Sequence, residues 1–492
     1  MNLNLLIWVP LLTTAVVVLW GKGQRAAMLA TVGSVVQLGL ALLLYLAYTA
    51  ERSIHANVPF LFEYRAVWYK PLNITYHLGV DGISVAMVLL TAFVVLAGVL
   101  MSWNITHQPR EFHALLTLLG AGAYGVFLSV DTFTLFFFLE LAVIPKYLLI
   151  GIWGSGQKEY CARKLVLMLM LGSALVLVGL LGVFFSAGHT FSLSAVSATG
   201  VPLKLQQWLF PLLFLGFGIF TAIFPFHTWV PDGHSAAPTA GSMFLAGISM
   251  KLGGYGCLRT VTHLMPEAAV QYAPLIIILG CIAIVYGSLA TMMQTDLKYL
   301  NAYSSISHCG FVVLGIGLLT QTARNGAVLQ MVSHGLMTAL FFAVIGLIYE
   351  RTHTRTIRDM GGLIQVMPFV MTVLFMAGMC SLGLPGLSGF VAEVTVFVGG
   401  WEREELLPRV AVVLACSSIV LTAVYIVRAI GQVAMGPLLG RVDQVPVGWA
   451  ERLAVLLLLS GILLMGLWPE WLMQLVDMPA PALETHLSRI EN

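Results

Sequence analysis

Long apolar stretches separated by short polar segments run along the whole chain. A helix that crosses a membrane needs roughly 20 predominantly apolar residues, and by this criterion the pattern predicts about fourteen spans. The predicted spans cover residues 3–20, 26–49, 79–101, 112–128, 132–152, 162–187, 207–226, 241–264, 272–293, 303–319, 325–349, 366–398, 409–435 and 451–475. We therefore predict an all-α polytopic membrane protein.

Two of these spans are interrupted by proline and glycine. The seventh ends in a segment with Pro225 and Pro231, and the twelfth contains Pro385 and Gly386. Such breaks expose backbone groups that lipid cannot satisfy, and interrupted helices at matching places of two halves indicate an inverted-repeat transporter. The predicted units are an N-terminal three-helix segment, two inverted five-helix half-channel units, and a C-terminal helix with its tail, at residues 1–111, 112–264, 265–435 and 436–492.

The composition agrees with a membrane protein and excludes several classes of function. Charged residues make up 9% of the chain, whereas soluble domains carry about 25%. The net charge of +2 gives no indication of a nucleic-acid partner. The six cysteines form no Cys-x-x-Cys pair, so neither a zinc site nor an iron–sulfur cluster is indicated. His227, Asp232 and His234 could imitate a metal site, but the Pro231 turn argues against it, and we expect no metal.

Charged residues inside apolar spans are the main indication of function. Glu140 lies in the apolar run 133–144, and Lys251 lies in another, 243–252. A charge near the bilayer centre costs about 2.5–3.5 kcal/mol, so such residues are rarely present without a function or a partner. Opposite charges on separate spans indicate a path for ions or protons. The alternative is that each belongs to a structural ion pair.

More polar residues follow one another through the second half, at Lys298, His308, His334 and Glu393. Histidine titrates near neutrality and suits proton relay, although a single buried histidine is more often a hydrogen-bonded core residue. Lys298 lies near a helix end, where its ammonium could instead reach the membrane surface. Several titratable groups in succession favour a relay.

Four motifs resemble one known family. The stretch 227–242, which begins His-Thr-Trp-Val-Pro-Asp, resembles the signature of the antiporter-like subunits of respiratory complex I. The segments 303–308, 78–84 and 383–390 fit the same family, and the Leu-Gly-Val-Asp-Gly-Ile-Ser element together with Glu393 favours the chain 4 (subunit M) type. The resemblance covers nearly the whole chain.

The resemblance implies a subunit of a proton-translocating NADH:quinone oxidoreductase. Glu140, Lys251 and Glu393 then match its glutamate of span 5, lysine of span 8 and glutamate of span 12, and His308 and His334 match its polar axis. No cofactor is expected in this chain, because NADH and quinone are bound by other subunits. The implied partners are other membrane-arm subunits, the lipid bilayer, protons and ordered water. A slight excess of Lys and Arg in alternate loops predicts an N-terminus on the outer face of the cell inner membrane.

One position departs from the family pattern. The family has a lysine seven residues before the first histidine of the His-Thr-Trp motif, where this chain has Phe220. Lys164 is our first candidate for a substitute partner of Glu140 and Lys146 the second. Six residues along a helix turn Lys146 about 120° away from Glu140, which disfavours direct pairing unless Pro145 distorts the turn strongly. Glu140 could also have no partner. Phe220 therefore leaves a non-pumping structural paralogue open, beside a subunit of a cation/proton antiporter or of a membrane-bound hydrogenase.

Overall fold

The computed structural model describes residues 1–55, 58–443 and 445–477, most of which are helical. The helices are, in chain order, α1 (Asn4–Trp20), α2 (Gln24–Ile54), α3 (Gly82–Met101), α4 (Pro109–Leu128), α5 (Thr132–Leu141), α6 (Val143–Trp153), α7 (Lys158–Ser186), α8 (Leu193–Thr199), α9 (Leu203–Thr221), α10 (Trp229–Ala236), α11 (Thr239–Phe244), α12 (Met250–Gly256), α13 (Pro266–Met292), α14 (Leu297–Gly317), α15 (Gln321–Thr352), α16 (Pro368–Ser381), α17 (Ser388–Trp401), α18 (Leu406–Ala434), α19 (Trp449–Leu467) and α20 (Glu470–Val476).

The prediction of an all-α polytopic membrane protein is confirmed. Within the described residues, ten helices are long and apolar enough to cross a membrane, with α5 and α6 taken together as one of them. Shorter apolar helices add to these at α1, α16 and α17. The count of fourteen spans and the inverted repeats stay predictions. Residues 478–492, the tail of the predicted C-terminal segment, lie outside the described part of the chain.

The helices are interrupted in three places near the candidate functional residues. The breaks between α9 and α10 and between α16 and α17 lie where the sequence places them. The third, at Ala142 between α5 and α6, was not predicted. Pro145 explains it, because proline has no N–H to donate to the carbonyl of Leu141 four residues earlier. The turn of about 120° that points Lys146 away from Glu140 applies to a continuous helix, and this break interrupts the helix between the two residues.

A β-hairpin, which the sequence analysis did not predict, covers one end of the bundle. Strands β1 (Leu61–Tyr69) and β2 (Ile74–Val80) pair antiparallel. The hairpin is held to neighbouring connections, because Val130 N–H donates to the His77 carbonyl at 3.1 Å and Leu193 N–H donates to the Val130 carbonyl at 3.0 Å. We call this end of the bundle the hairpin face.

The other end of the bundle is a second set of bonded connections, which we call the opposite face. Here Ser155 N–H donates to the Ala236 carbonyl at 2.8 Å, and Leu297 N–H donates to the Arg355 carbonyl at 3.0 Å. Between the two faces, α15 lies in the middle of the bundle against α11, α14 and α17, and its most apolar stretch is completely buried. Polar groups on α15 are thus shielded from lipid.

A buried polar relay as the candidate functional site

Lys251 is carried by a helix of unusual geometry. Its own segment, α12, is flanked by two stretches of π-helix, Leu245–Ser249 and Cys257–Thr262. Turns of π-helix are rare and occur frequently at functional sites. The apolar run around Lys251 predicts a span over 241–264 but does not reveal this segmentation.

Two glycines allow this segmented helix to approach α15 closely. A Cβ atom on Gly335 would lie 2.7 Å from the Gly247 carbonyl oxygen, and one on Gly247 would lie 3.3 Å from the Gly335 carbonyl oxygen. Any larger residue would push the two backbones apart. Because Gly335 follows His334 directly, the contact places that histidine beside Lys251.

The ammonium of Lys251 is fully enclosed and has two partners. Its Nζ donates to the Ala246 carbonyl at 2.5 Å and lies 2.8 Å from Nδ1 of His334. Both side chains are 1% exposed. A lysine ammonium can only donate, so Nδ1 of His334 acts as the acceptor and the contact joins two groups that can exchange a proton.

The polar path continues from His334 to Glu393. The rings of His334 and His308 lie 5.4 Å apart, and Nδ1 of His308 lies 3.6 Å from Oε1 of Glu393. The hydroxyl of Ser381, at the end of α16, lies 3.0 Å from Nε2 of His308. All of these side chains are buried. The break between α16 and α17 therefore positions both a hydroxyl and a carboxylate at the end of a continuous line from Lys251.

Lys298 is buried near the opposite face and is not at the surface. It is 6% exposed and donates to the Ala237 carbonyl at 2.8 Å. Arg355 holds the adjacent carbonyl of Ser235 at 2.8 Å and pairs with Asp296 at 3.3 Å. Lys298 thus binds backbone at the end of α10 and does not extend its ammonium to the membrane surface.

His234 is a buried histidine that the sequence analysis does not include in the polar path. Its ring is stacked on Phe342 at 4.9 Å, and the ammonium groups of Lys251 and Lys298 both act on it electrostatically. Neither ring nitrogen has a hydrogen-bond partner within the described part of the chain. Its complete burial was not visible in the sequence, which places His234 at the break after the seventh span.

Glu140 lies apart from this line. It ends α5 and is half-buried, with Oε1 enclosed but without a hydrogen-bond partner among the described residues. Its neighbours on the same helical face, Phe137 and Ile144, are exposed. In the described part of the chain no hydrogen bond or ion pair joins Glu140 to Lys251, so the predicted line from Glu140 to Glu393 is seen only from Lys251 onward.

Lys164 is not the partner of Glu140, and this part of the prediction is wrong. Its Nζ forms an ion pair with Oδ2 of Asp232 at 2.7 Å, and the hydroxyl of Tyr299 donates to the other oxygen of that carboxylate at 3.4 Å. Asp232 lies in α10, which packs against α7, so the broken helix provides the counter-charge. Charge complementarity alone does not distinguish two carboxylates on separate helices.

Phe220 fills the contact between α9 and α7. Its ring is 1% exposed and lies against Gly172.

No group of three or more His, Cys, Asp or Glu side chains is placed to hold a metal ion in the part of the chain that the structure describes. The contacts of Lys251, His334, His308 and Glu393 bring together groups that can exchange protons.

The family model for the membrane subunits described as "NADH:quinone oxidoreductase/Mrp antiporter, TM" matches residues 129–422. The chain belongs to this family. A relative from Synechococcus sp. (strain JA-2-3B'a(2-13)), NAD(P)H-quinone oxidoreductase chain 4 1, is 38% identical over 87% of this chain and 82% of its own length. The family resemblance predicted from the motifs is confirmed.

Two solved structures share this architecture. A chain of respiratory complex I from Thermus thermophilus with bound NADH superposes with a TM-score of 0.87 at 26% identity, covering 98% of this chain and 99% of that one. A chain of the Mrp complex from Dietzia sp. DQ12-45-1b gives the same TM-score at 18% identity, covering 99% and 98%. The latter likeness is one of fold.

Proposed function

We propose that this chain is a membrane-arm subunit of a proton-translocating NADH:quinone oxidoreductase, complex I. The observation that carries the proposal is the buried line from Lys251 through His334 and His308 to Glu393. A scaffold has no need of four titratable side chains in contact inside an apolar bundle, where each one costs free energy. The relatives that are named as quinone oxidoreductase chains support the same assignment.

In this proposal, protons move along the line and no redox chemistry occurs in the chain. Lys251 gives a proton to Nδ1 of His334, and the ring loses its Nε2 proton toward His308, through water where the rings are not in direct contact. His308 passes a proton to Glu393 across the 3.6 Å contact. Lys251 is then recharged from the opposite face by way of Lys298 and His234. NADH and quinone are bound by other subunits, and this chain requires no cofactor.

The proposed units are the two five-helix half-channels, 112–264 and 265–435, between the segments 1–111 and 436–492. The helix breaks after α9 and α16 support them, because interruptions at matching places are typical of inverted repeats. We place the N-terminus on the outer side of the cell inner membrane. The basic residues Lys164, Lys298 and Arg355 near the opposite face support this orientation, since inner loops are rich in Lys and Arg.

Glutamate 393 provides the test of this proposal. Glu393→Gln keeps the shape of the side chain but cannot be ionised, so we expect proton translocation to fall by about a hundredfold while the complex still assembles. The measurement is the proton-to-electron ratio of the whole complex in vesicles, with NADH as donor. Glu404→Gln, on an exposed connection, is the matched control and should keep the normal ratio. A normal ratio with Glu393→Gln would contradict the proposal.

The antiporter alternative makes a different prediction in the same vesicles. A cation/proton antiporter subunit would exchange protons for sodium or potassium without NADH oxidation. Proton movement that depends on an added cation gradient and not on NADH would therefore favour it.

Substitutions of Phe220 test whether position 220 controls proton uptake. Phe220→Lys introduces a cation where α9 contacts α7, whereas Phe220→Leu changes only size. We expect the lysine variant to alter the proton-to-electron ratio more than the leucine variant does, because an opposite charge within about 4–6 Å strongly changes proton binding by a carboxylate. Identical ratios for both variants and the unmodified protein would mean that proton uptake does not depend on position 220.

A further inference from the structure

The break at Ala142 separates a buried lysine from a half-buried glutamate, and each carries an enclosed polar atom without a hydrogen-bond partner among the described residues. Lys146 lies in the first turns of α6, is 1% exposed, and its Nζ has no hydrogen-bond acceptor among the described residues. Glu140 lies at the end of α5, and its enclosed Oε1 also has no hydrogen-bond partner among the described residues. An ammonium buried without a partner is strongly unfavourable, so a side chain of this kind persists where it has a function or an intermittent partner.

The charged group that acts on the Lys146 ammonium is the Glu140 carboxylate. The two do not reach the 4.0 Å of an ion pair in the described residues, whereas Lys164 is already neutralised by Asp232 at 2.7 Å. The position where the family resemblance predicts a lysine holds the ring of Phe220. Of Lys164, Lys146 and position 220, only Lys146 provides a buried cation that is not already paired with another carboxylate.

We propose that Lys146 is the cation that works with Glu140 in proton uptake, across the helix break at Ala142. This inference rests on the proposed function. Glu140 is half-buried at the rim of the bundle, and Lys146 is enclosed within it, where α6 packs against α4, α7 and α11. Because the helix is broken between them, the distance between the two side chains can change, whereas a continuous helix would hold it constant. Approach of Lys146 favours the ionised carboxylate, and its withdrawal favours the protonated one.

This arrangement places both partners on one membrane span. Uptake at Glu140 then depends on the angle between α5 and α6 and does not require a charge on α9. A proton taken up at Glu140 leaves the carboxyl when the Lys146 ammonium approaches again, on the side away from the exposed face formed by Phe137 and Ile144.

The test is Lys146→Met in the complete complex, with Lys146→Gln as the second variant if the methionine variant does not assemble. We expect the initial rate of NADH-driven proton uptake by inverted vesicles to fall by about a hundredfold. We also expect the infrared band of the Glu140 carboxyl, assigned by its loss in Glu140→Gln, to shift. Lys164→Met removes the same charge from the neighbouring helix and should leave that band in place.

Two results would overturn the inference. One is an unchanged uptake rate in an assembled Lys146 variant. The other is a slower rate with an unmoved Glu140 band, which would show that Lys146 is only structural. If the proposed function itself were wrong, Glu393→Gln would also leave proton translocation intact. If only the inference were wrong, Glu393→Gln would still reduce it.

Discussion

Replacement of Lys251 by alanine is expected to abolish proton transfer along the buried line while the complex still assembles. Lys251 is the first member of the line and contacts His334 at 2.8 Å. Arg259, the next basic residue on the same segmented helix, is held by Asp81 at 2.6 Å and cannot take over the charge. Loss of a positioned proton donor typically costs about 10²–10⁴-fold in rate, so translocation should be lost.

The proton-to-electron ratio of the complex in vesicles measures this effect, and native gel electrophoresis of the membranes reports assembly. Lys204→Ala is the matched control, because Lys204 is an exposed lysine near the hairpin face. A normal ratio in assembled Lys251→Ala complex would show that protons bypass this residue. A Lys251→Met variant, which fills the volume of the side chain without its charge, should behave like the alanine variant.

The sequence identified the members of the buried line because a polar residue is conspicuous in an apolar span. Lys251, His308, His334 and Glu393 could each be selected in this way. Their order and distances could not be derived, because they depend on how separate helices pack. The contact of Lys251 with His334 depends on the close approach at Gly247, and the sequence does not show which helix lies there.

The errors have equally specific causes. Lys164 was assigned to Glu140 because charge complementarity alone does not distinguish Glu140 from Asp232, and only the packing of α7 against α10 does. The ranking of Lys146 as second candidate uses the geometry of a continuous helix, which Pro145 interrupts. Both points concern tertiary geometry near a helix break.

The hairpin was missed although the sequence contains a signal for it. Residues 61–69 and 74–80 are rich in aromatic and β-branched side chains, and Pro71 and Asn73 lie between them, as expected for a turn. Most of this region lies between the second and third predicted spans, and hydropathy alone therefore indicates only a connection there. The fold class was therefore predictable from hydropathy, whereas the hairpin required a separate test for period-two patterns.

A second ion pair, which sequence reasoning did not identify, joins the hairpin face to the segmented helix. Nη2 of Arg259 lies 2.6 Å from Oδ1 of Asp81, and both residues are buried. Asp81 also accepts the backbone N–H of Ser84 at 2.9 Å at the start of α3. Nε of Arg259 also donates to the hydroxyl of Tyr255 at 3.2 Å, and its guanidinium carbon lies 5.3 Å from the ring centroid of Phe60. One guanidinium thus connects three elements.

Arg259→Met is expected to cause the largest loss of stability among the substitutions considered. It removes one partner and leaves the Asp81 carboxylate buried without a counter-charge, a change that typically costs about 3–5 kcal/mol. We expect little assembled complex in the membrane and a lowered thermal midpoint of whatever assembles. Both are measured on detergent-solubilised complex, by native gel electrophoresis and by thermal unfolding.

The double variant Arg259→Met with Asp81→Asn separates loss of the ion pair from loss of packing. Asparagine removes the carboxylate charge and keeps an oxygen that can accept the Ser84 N–H, so α3 retains its cap. Removing both charges of a buried pair is far less harmful than removing one, and the double variant should therefore recover most of the assembled complex. If the double variant were as unstable as Arg259→Met alone, the contacts of the arginine with Tyr255 and Phe60 would be the source of stability, and the ion pair would not.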